Sequence, residues 1–139
     1  MVIASVWKAD KRGSIPRGST IMRFVDKPWG SEEIWAETPA YVGKILTIEP
    51  GHKLSRQYHE LKEETFRVLE GILTLEIGDK NDPDFHIMHL YDGDSFHCPP
   101  KTIHRMVNDL GKNQKPVKVL EVSTNHLDDV VRLEDDYKR

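Results

Sequence analysis

From Phe24 onward the apolar positions of the chain fall into short runs. The segments "EEIWAE", "VGKILTIE", "TFRVLEG", "ILTLEIG", "FHIMHLY", "SFHCP", "HRMVN" and "VKVLEVS" are five to eight residues long. They are rich in β-branched and aromatic residues and often alternate apolar with polar. Between them lie turn signals such as "KPWG", "TPAY", "EPGHK", "DGD" and "CPPK". This pattern predicts an all-β fold, an antiparallel barrel or sandwich. No long stretch before residue 125 keeps a 3.6-residue period. The tail "HLDDVVRLEDDYKR" is expected as a short helix or an irregular segment docked on the barrel. Residues 1–22 are rich in Lys, Arg, Ser and Gly with weak periodicity, and are expected as an extended N-terminal arm. A single domain is expected over residues 23–139.

One stretch breaks the pattern. In "LSRQYHELKEE", Gln57 and His59 sit two apart, as neighbours on one face of a strand do, and Glu64 follows just before an apolar run. A β-rich domain normally places valine or leucine at inward positions. Two readings follow: a metal site, or a polar hairpin with an incidental histidine.

Composition narrows the classes. The chain has 139 residues, 37% hydrophobic and 31% charged, enough for one domain with a sizeable core. A net charge of −3 argues against nucleic acid as a partner, because phosphate neutralisation needs a basic field. No apolar run reaches the roughly 18 residues of a membrane span, and charges follow too soon after the start for a signal peptide. The lone cysteine, Cys98, excludes an intrachain disulfide and fits a reducing cytoplasm. Beside Pro99 and Pro100 and without a CxxC partner, it reads as structural.

The spacing of two segments is informative. The first runs Gly51, five residues, Gln57, one, His59, four, Glu64, six, Gly71; the second runs Gly93, five residues, Pro99, Lys101, two, His104, three, Asn108. Together they resemble the two motifs of the cupin superfamily, jelly-roll β-barrels that hold a metal in the barrel mouth. The resemblance implies Gln57, His59, Glu64 and His104 as ligands. Strand geometry is compatible with it. Gln57 and His59 share a face, Glu64 opens the next strand on the side of Phe66 and Val68, and a hairpin would bring these donors together. Two imidazoles, a carboxylate and an amide oxygen suit a borderline divalent ion, Zn²⁺ first, with Mn²⁺, Fe²⁺, Co²⁺ or Ni²⁺ as alternatives. Lys101 stands where the family usually has glycine; if the turn needs positive φ, lysine there costs roughly 1 kcal/mol.

A closer resemblance follows from "KPWGSEEIW", "GKILTIEPGHKLSRQYH", "HRMVN" and "EVSTNHLDDVVRLEDDYKR". These look like the cupin domain of type II mannose-6-phosphate isomerases, which in bifunctional members follows a GDP-mannose pyrophosphorylase domain. No nucleotidyltransferase domain is present here, so a stand-alone cupin is expected. Arg56 and the Glu60–Lys62 stretch depart from the family pattern. Cupins with so short a barrel commonly pair, so the resemblance also implies a homodimer.

Four further residues are candidates. In "VKVLEVS", Val117, Val119, Glu121 and Ser123 share one face. If that face is buried, Glu121 is the candidate catalytic base; if the opposite face is buried, Glu121 meets water. Lys44 shares a face with Leu46 and Ile48, either to meet an anionic substrate group or to guard an edge strand. Arg132 and Arg139 correspond to arginines in the family's tail and could clamp a phosphate or be plain surface charges. His86, His89, His97 and His126 fit no ligand spacing, and His86 and Asp84 read as loop or surface residues. Trp29 and Trp35 read as core or lid packing. The expectation is a metal-dependent aldose–ketose isomerase acting on a sugar phosphate. A non-catalytic sugar- or metal-binding module is the alternative, and an oxygen-using iron enzyme is disfavoured by Gln57.

Overall fold

The structure, a computed structural model, describes residues 23–79, 81–110 and 115–139; the expected N-terminal arm lies outside the described residues. Eleven strands are present among them: β1 (Arg23–Lys27), β2 (Gly30–Glu37), β3 (Tyr41–Ile48), β4 (Arg56–Tyr58), β5 (Glu64–Glu70), β6 (Leu73–Asp79), β7 (Asp82–Leu90), β8 (Ser95–Cys98), β9 (Ile103–Val107), β10 (Val117–Thr124) and β11 (Val131–Glu134). They form two antiparallel sheets, one ordered β1-β2-β3-β10-β5-β8 and the other β11-β4-β9-β6-β7. None of the described residues forms a helix long and apolar enough to cross a membrane.

The inward positions of both sheets meet in one core. Leu46, Ile48, Phe66, Val68, Val117 and Val119 come from the first sheet, with Leu73, Leu75 and Met106 from the second. Trp29, in the β1–β2 turn, is buried among them. Strand β10 alternates strictly, burying Val117, Val119, Glu121 and Ser123 and exposing Lys118 and Val122. The open question about Glu121 is thereby answered: it points inward.

Three sequence expectations need correction. The first motif is not a hairpin. Strand β4 lies in the five-stranded sheet, between β11 and β9, whereas β5 lies in the other sheet between β10 and β8. The chain therefore crosses between layers at residues 59–63, and His59 sits just past the end of β4. The tail is neither helical nor irregular throughout, because Val131–Glu134 pairs with β4. Asp84 and His86, expected in a loop or at the surface, lie on the exposed side of strand β7. Lys44 does not guard an edge, because β3 is flanked by β2 and β10. Trp35 lies over the backbone of Gly43, where a β-carbon would come within 2.5 Å of the indole. That places it outside the barrel mouth.

Candidate metal centre

At one end of the barrel the two sheets face each other with polar rows. In the first sheet Lys44 pairs with Glu121, which pairs in turn with Phe66. In the second, Arg132 pairs with Gln57, which pairs with His104. Between the rows lies a cavity of about 110 Å³ lined by Lys44, Gln57, His59, Lys62, Glu64, His104, Glu121 and Arg132, among others. A smaller lobe of about 70 Å³ shares Gln57 and Arg132 with it and adds Arg139. Lys27 and Glu32 line both.

His59, Glu64 and His104 each bring one ligand atom to within 4.8 Å of the others. The His59 Nε2–Glu64 Oε2 distance is 2.8 Å and the His104 Nε2–Glu64 Oε2 distance is 3.8 Å. The far side of each ring is already committed. His59 Nδ1 lies 2.5 Å from the Asp129 carbonyl, and His104 Nδ1 lies 2.9 Å from the Thr102 carbonyl. A carbonyl only accepts, so each Nδ1 carries the proton and, in a neutral ring, each Nε2 presents a lone pair. Three electron-pair donors thus converge, and Glu64 Oε2 is buried without a hydrogen-bond donor. The chemistry of this donor set fits a borderline divalent ion. Oriented imidazoles with carbonyl-bound Nδ1–H groups are the usual outer support of a metal-binding histidine. Gln57 lines the same cavity from the position in register with His104.

Electrostatics separates the two carboxylates. Burial alone would raise the Glu64 carboxyl, but His59, when it shares a proton, together with Lys62 and His104 outweighs burial and holds it down at about 2. Glu121 is pushed up to about 7, by burial first and by the Glu64 charge second, against the pull of Lys62 and Lys44. Burial lowers His104 below the usual imidazole range, against the opposing effect of Glu64, and so keeps the ring neutral. Lys62 stays charged: burial would lower it, but Glu121 and Glu64 raise it on balance. Its ammonium lies 3.3 Å from Glu121 Oε2 and 3.6 Å from Glu64 Oε2.

The remaining candidates fall at the mouth. Lys44 is nearly buried and pairs with Glu32 at 3.3 Å. Arg132 is exposed on β11 and reaches both lobes. Arg139 lines only the smaller lobe, and its Nε is held 2.9 Å from Asp135. Cys98 is buried, its thiol pushed far up by burial and then by Glu64, in keeping with a structural role. His89, His97 and His126 contact Thr74, Thr65 and Thr124 and do not line the cavity. Lys101 does adopt a left-handed backbone, φ 67°, and its amide donates to the His59 carbonyl at 2.6 Å.

Sequence reasoning missed Lys62 and Asp129. Lys62 lay in plain view between two proposed ligands, but in a hairpin it would have faced solvent. Asp129 carries no periodic signal, and only the folded tail brings it to His59.

Comparison with known proteins identifies the lineage. A family model described as the mannose-6-phosphate isomerase C-terminal region matches residues 17–135. The chain belongs to this family. It is 27% identical over 113 residues to mannose-1-phosphate guanylyltransferase RfbM of Salmonella typhimurium, an alignment covering 79% of this chain and 22% of that protein. It is 30% identical over 118 residues to alginate biosynthesis protein AlgA of Pseudomonas aeruginosa, covering 83% and 23%. The chain therefore spans about a quarter of the length of these curated relatives. Among solved structures, capsular polysaccharide assembling protein CapF of Staphylococcus aureus superposes with a TM-score of 0.72 at 17% identity, over 86% of this chain and 34% of that one. A sugar phosphate isomerase of the cupin superfamily from Silicibacter pomeroyi superposes at 0.51 with 25% identity, over 67% and 59%. A Klebsiella pneumoniae protein with a double-stranded β-helix domain superposes at 0.59 with 19% identity, over 91% and 94%, and shares the two-sheet architecture described above.

Proposed function

We propose that this member of the mannose-6-phosphate isomerase C-terminal family is a divalent-metal-dependent aldose–ketose isomerase acting on a sugar phosphate such as mannose 6-phosphate. The observation that carries the reading is the convergence of His59 Nε2, His104 Nε2 and Glu64 Oε2 beside a second, separately tuned carboxylate. Gln57, His59, Glu64 and His104 would hold the ion. Bound there, it would supply Lewis acidity toward the C1 and C2 oxygens of the open-chain sugar.

The chain's own groups divide the remaining work. Glu121, poised at about 7, takes the proton from C2 of the aldose and returns it to C1. Lys62, 3.3 Å away, holds the Glu121 carboxylate and balances the negative charge of an enediolate. Lys27, Arg132 and Arg139 at the smaller lobe receive the phosphate, with arginine suited to bidentate contact.

One observation favours a non-catalytic sugar-binding module. The Lys62 ammonium already offers the Glu64 oxygen a positive charge from within the chain. Metal analysis of the purified protein, followed by NMR of mannose 6-phosphate in D₂O, separates the two readings. Isomerisation predicts metal-dependent deuterium incorporation at C2 that is lost in Glu121→Gln while the metal is retained. Sugar-phosphate binding without exchange, in metal-loaded protein, would replace the isomerase with the module.

A further inference from the structure

The residue that orients the candidate metal centre comes from the tail rather than from the barrel. Asp129 uses both ends. Its carboxylate accepts the backbone N–H groups of Glu60 at 3.1 Å, Leu61 at 2.7 Å and Lys62 at 2.9 Å. Its backbone carbonyl accepts the Nδ1–H of His59 at 2.5 Å. The segment so gripped is the crossover between the sheets, which carries His59 at one end, Lys62 within it and Glu64 just beyond. The crossover forms no ladder hydrogen bonds of its own, and three successive amide dipoles need an acceptor. Thr124 extends the grip: its hydroxyl accepts from the Glu63 amide at 3.2 Å, and its amide donates to the Glu63 carbonyl at 3.0 Å. The chain then runs directly into β11, which places Arg132 at the cavity mouth.

We propose that Asp129 is a positioning residue: by binding the 60–62 amides and the His59 ring at once, it fixes the His59 tautomer and aims Nε2 at the ion site. A docked tail is therefore part of the site, and it links the metal-facing imidazole to the arginine three residues further on. The ion-binding half of this proposal rests on the metal reading above. The tautomer half does not.

The test uses the full-length chain, ¹⁵N-labelled and freed of metal with chelator, for hydrogen exchange and long-range ¹H–¹⁵N spectra of His59. Zn²⁺ affinity is measured separately by competition with a chromogenic chelator. In the native chain His59 is expected to carry a proton on Nδ1, whether or not Nε2 shares one with Glu64, with slow exchange at Leu61 and Lys62. In Asp129→Ala those amides should exchange at least about 10-fold faster, His59 should become a tautomer mixture, and Zn²⁺ affinity should fall about 10- to 100-fold, as for loss of other outer-shell partners. Asp129→Asn keeps one acceptor oxygen and should lie between; Asp128→Ala, at the exposed neighbouring acid, should match the native chain. A native His59 without a proton on Nδ1 overturns the proposal without recourse to any variant. So does an Asp129→Asn protein with native tautomer and native affinity. A native chain that binds no Zn²⁺ but shows the tautomer and exchange changes would remove the metal reading and leave the clamp standing.

Discussion

The inward faces of β3, β5 and β10 change character along their length. Toward one end they carry Ile48 and Leu46, Val68 and Phe66, Val117 and Val119; toward the other, the same faces carry Lys44, Glu64, Glu121 and Ser123. Strand periodicity is identical at the two ends, so alternation alone does not tell them apart. What differs is how each end is held. The apolar end is stabilised by area removed from water, which is non-directional and adds up over many contacts. At the polar end, Lys44, Glu64 and Glu121 would lose hydration outright and stay largely buried because each faces a charge of opposite sign. Phe66 marks the border, stacking near Phe96 in the core while its ring centroid lies 5.8 Å from that of His104.

Substitutions at the two ends should therefore fail differently. The largest effect is expected at the border. Phe66→Ala removes a fully buried ring and should destabilise the protein by about 3–5 kcal/mol in urea unfolding. A loss below about 1 kcal/mol would mean that the core is not anchored there. At the polar end, Lys62→Met should cost about 3 kcal/mol in the metal-free protein, because it leaves Glu64 and Glu121 facing each other without the shared ammonium. Adding Glu121→Leu should restore most of the loss, since removing a buried pair together is far milder than breaking it. Additive losses in that double-mutant cycle would show the pair to be uncoupled. No such rescue exists at the apolar end.

The same contrast explains what could be read in advance. Apolar alternation in "TFRVLEG" and "VKVLEVS" marked β5 and β10, and burial then follows from the period of two. The spacing of Gln57 and His59 marked a strand there, but three residues of mixed polarity do not say which sheet Arg56–Tyr58 joins, which is set by pairing with β9 and β11. That one omission turned a sheet-to-sheet crossover into an expected hairpin. Strand β11 was missed for a related reason: Val131–Glu134 alternates over only four residues, three of them exposed, and it is held through Arg56 and Arg105, both of which meet Glu134. Motif spacing made His59, Glu64 and His104 legible as a set. It could not reveal Lys62 or Asp129, whose roles depend on which layer each segment enters.

A smaller effect concerns pH. Glu121 has a folded-state pKa raised to about 7, so its contribution to stability is full below its unfolded value near 4.5 and fades as pH rises through about 7. Glu64 has the opposite sign: held down at about 2, its contribution is full above about 4.5 and is lost as pH falls through about 2. In metal-free protein the Glu121 titration should therefore remove stability between about pH 5 and 7 with a slope of at most about 1.4 kcal/mol per pH unit, against an opposite slope from His104, which burial lowers. Glu121→Gln should flatten that slope in chemical denaturation series. An unchanged slope in the variant would assign the titration to another group.

The smallest effect tests how the polar end is tied together. Lys101 holds a left-handed backbone at φ 67° while its amide reaches the His59 carbonyl, so a strained residue joins the second motif to the first. Relief of that strain by Lys101→Gly is worth roughly 1–2 kcal/mol, and the greater freedom of glycine in the unfolded chain takes back roughly 0.5–1. The net should be stabilisation by less than about 1 kcal/mol, with the amide bond to His59 retained. Lys101→Ala keeps a β-carbon in the same backbone region and should leave stability nearly unchanged, so the two variants together isolate backbone strain from loss of the lysine charge. Equal stabilisation by alanine and glycine would point to the charge, and would mean that the turn joining the motifs is not strained at all.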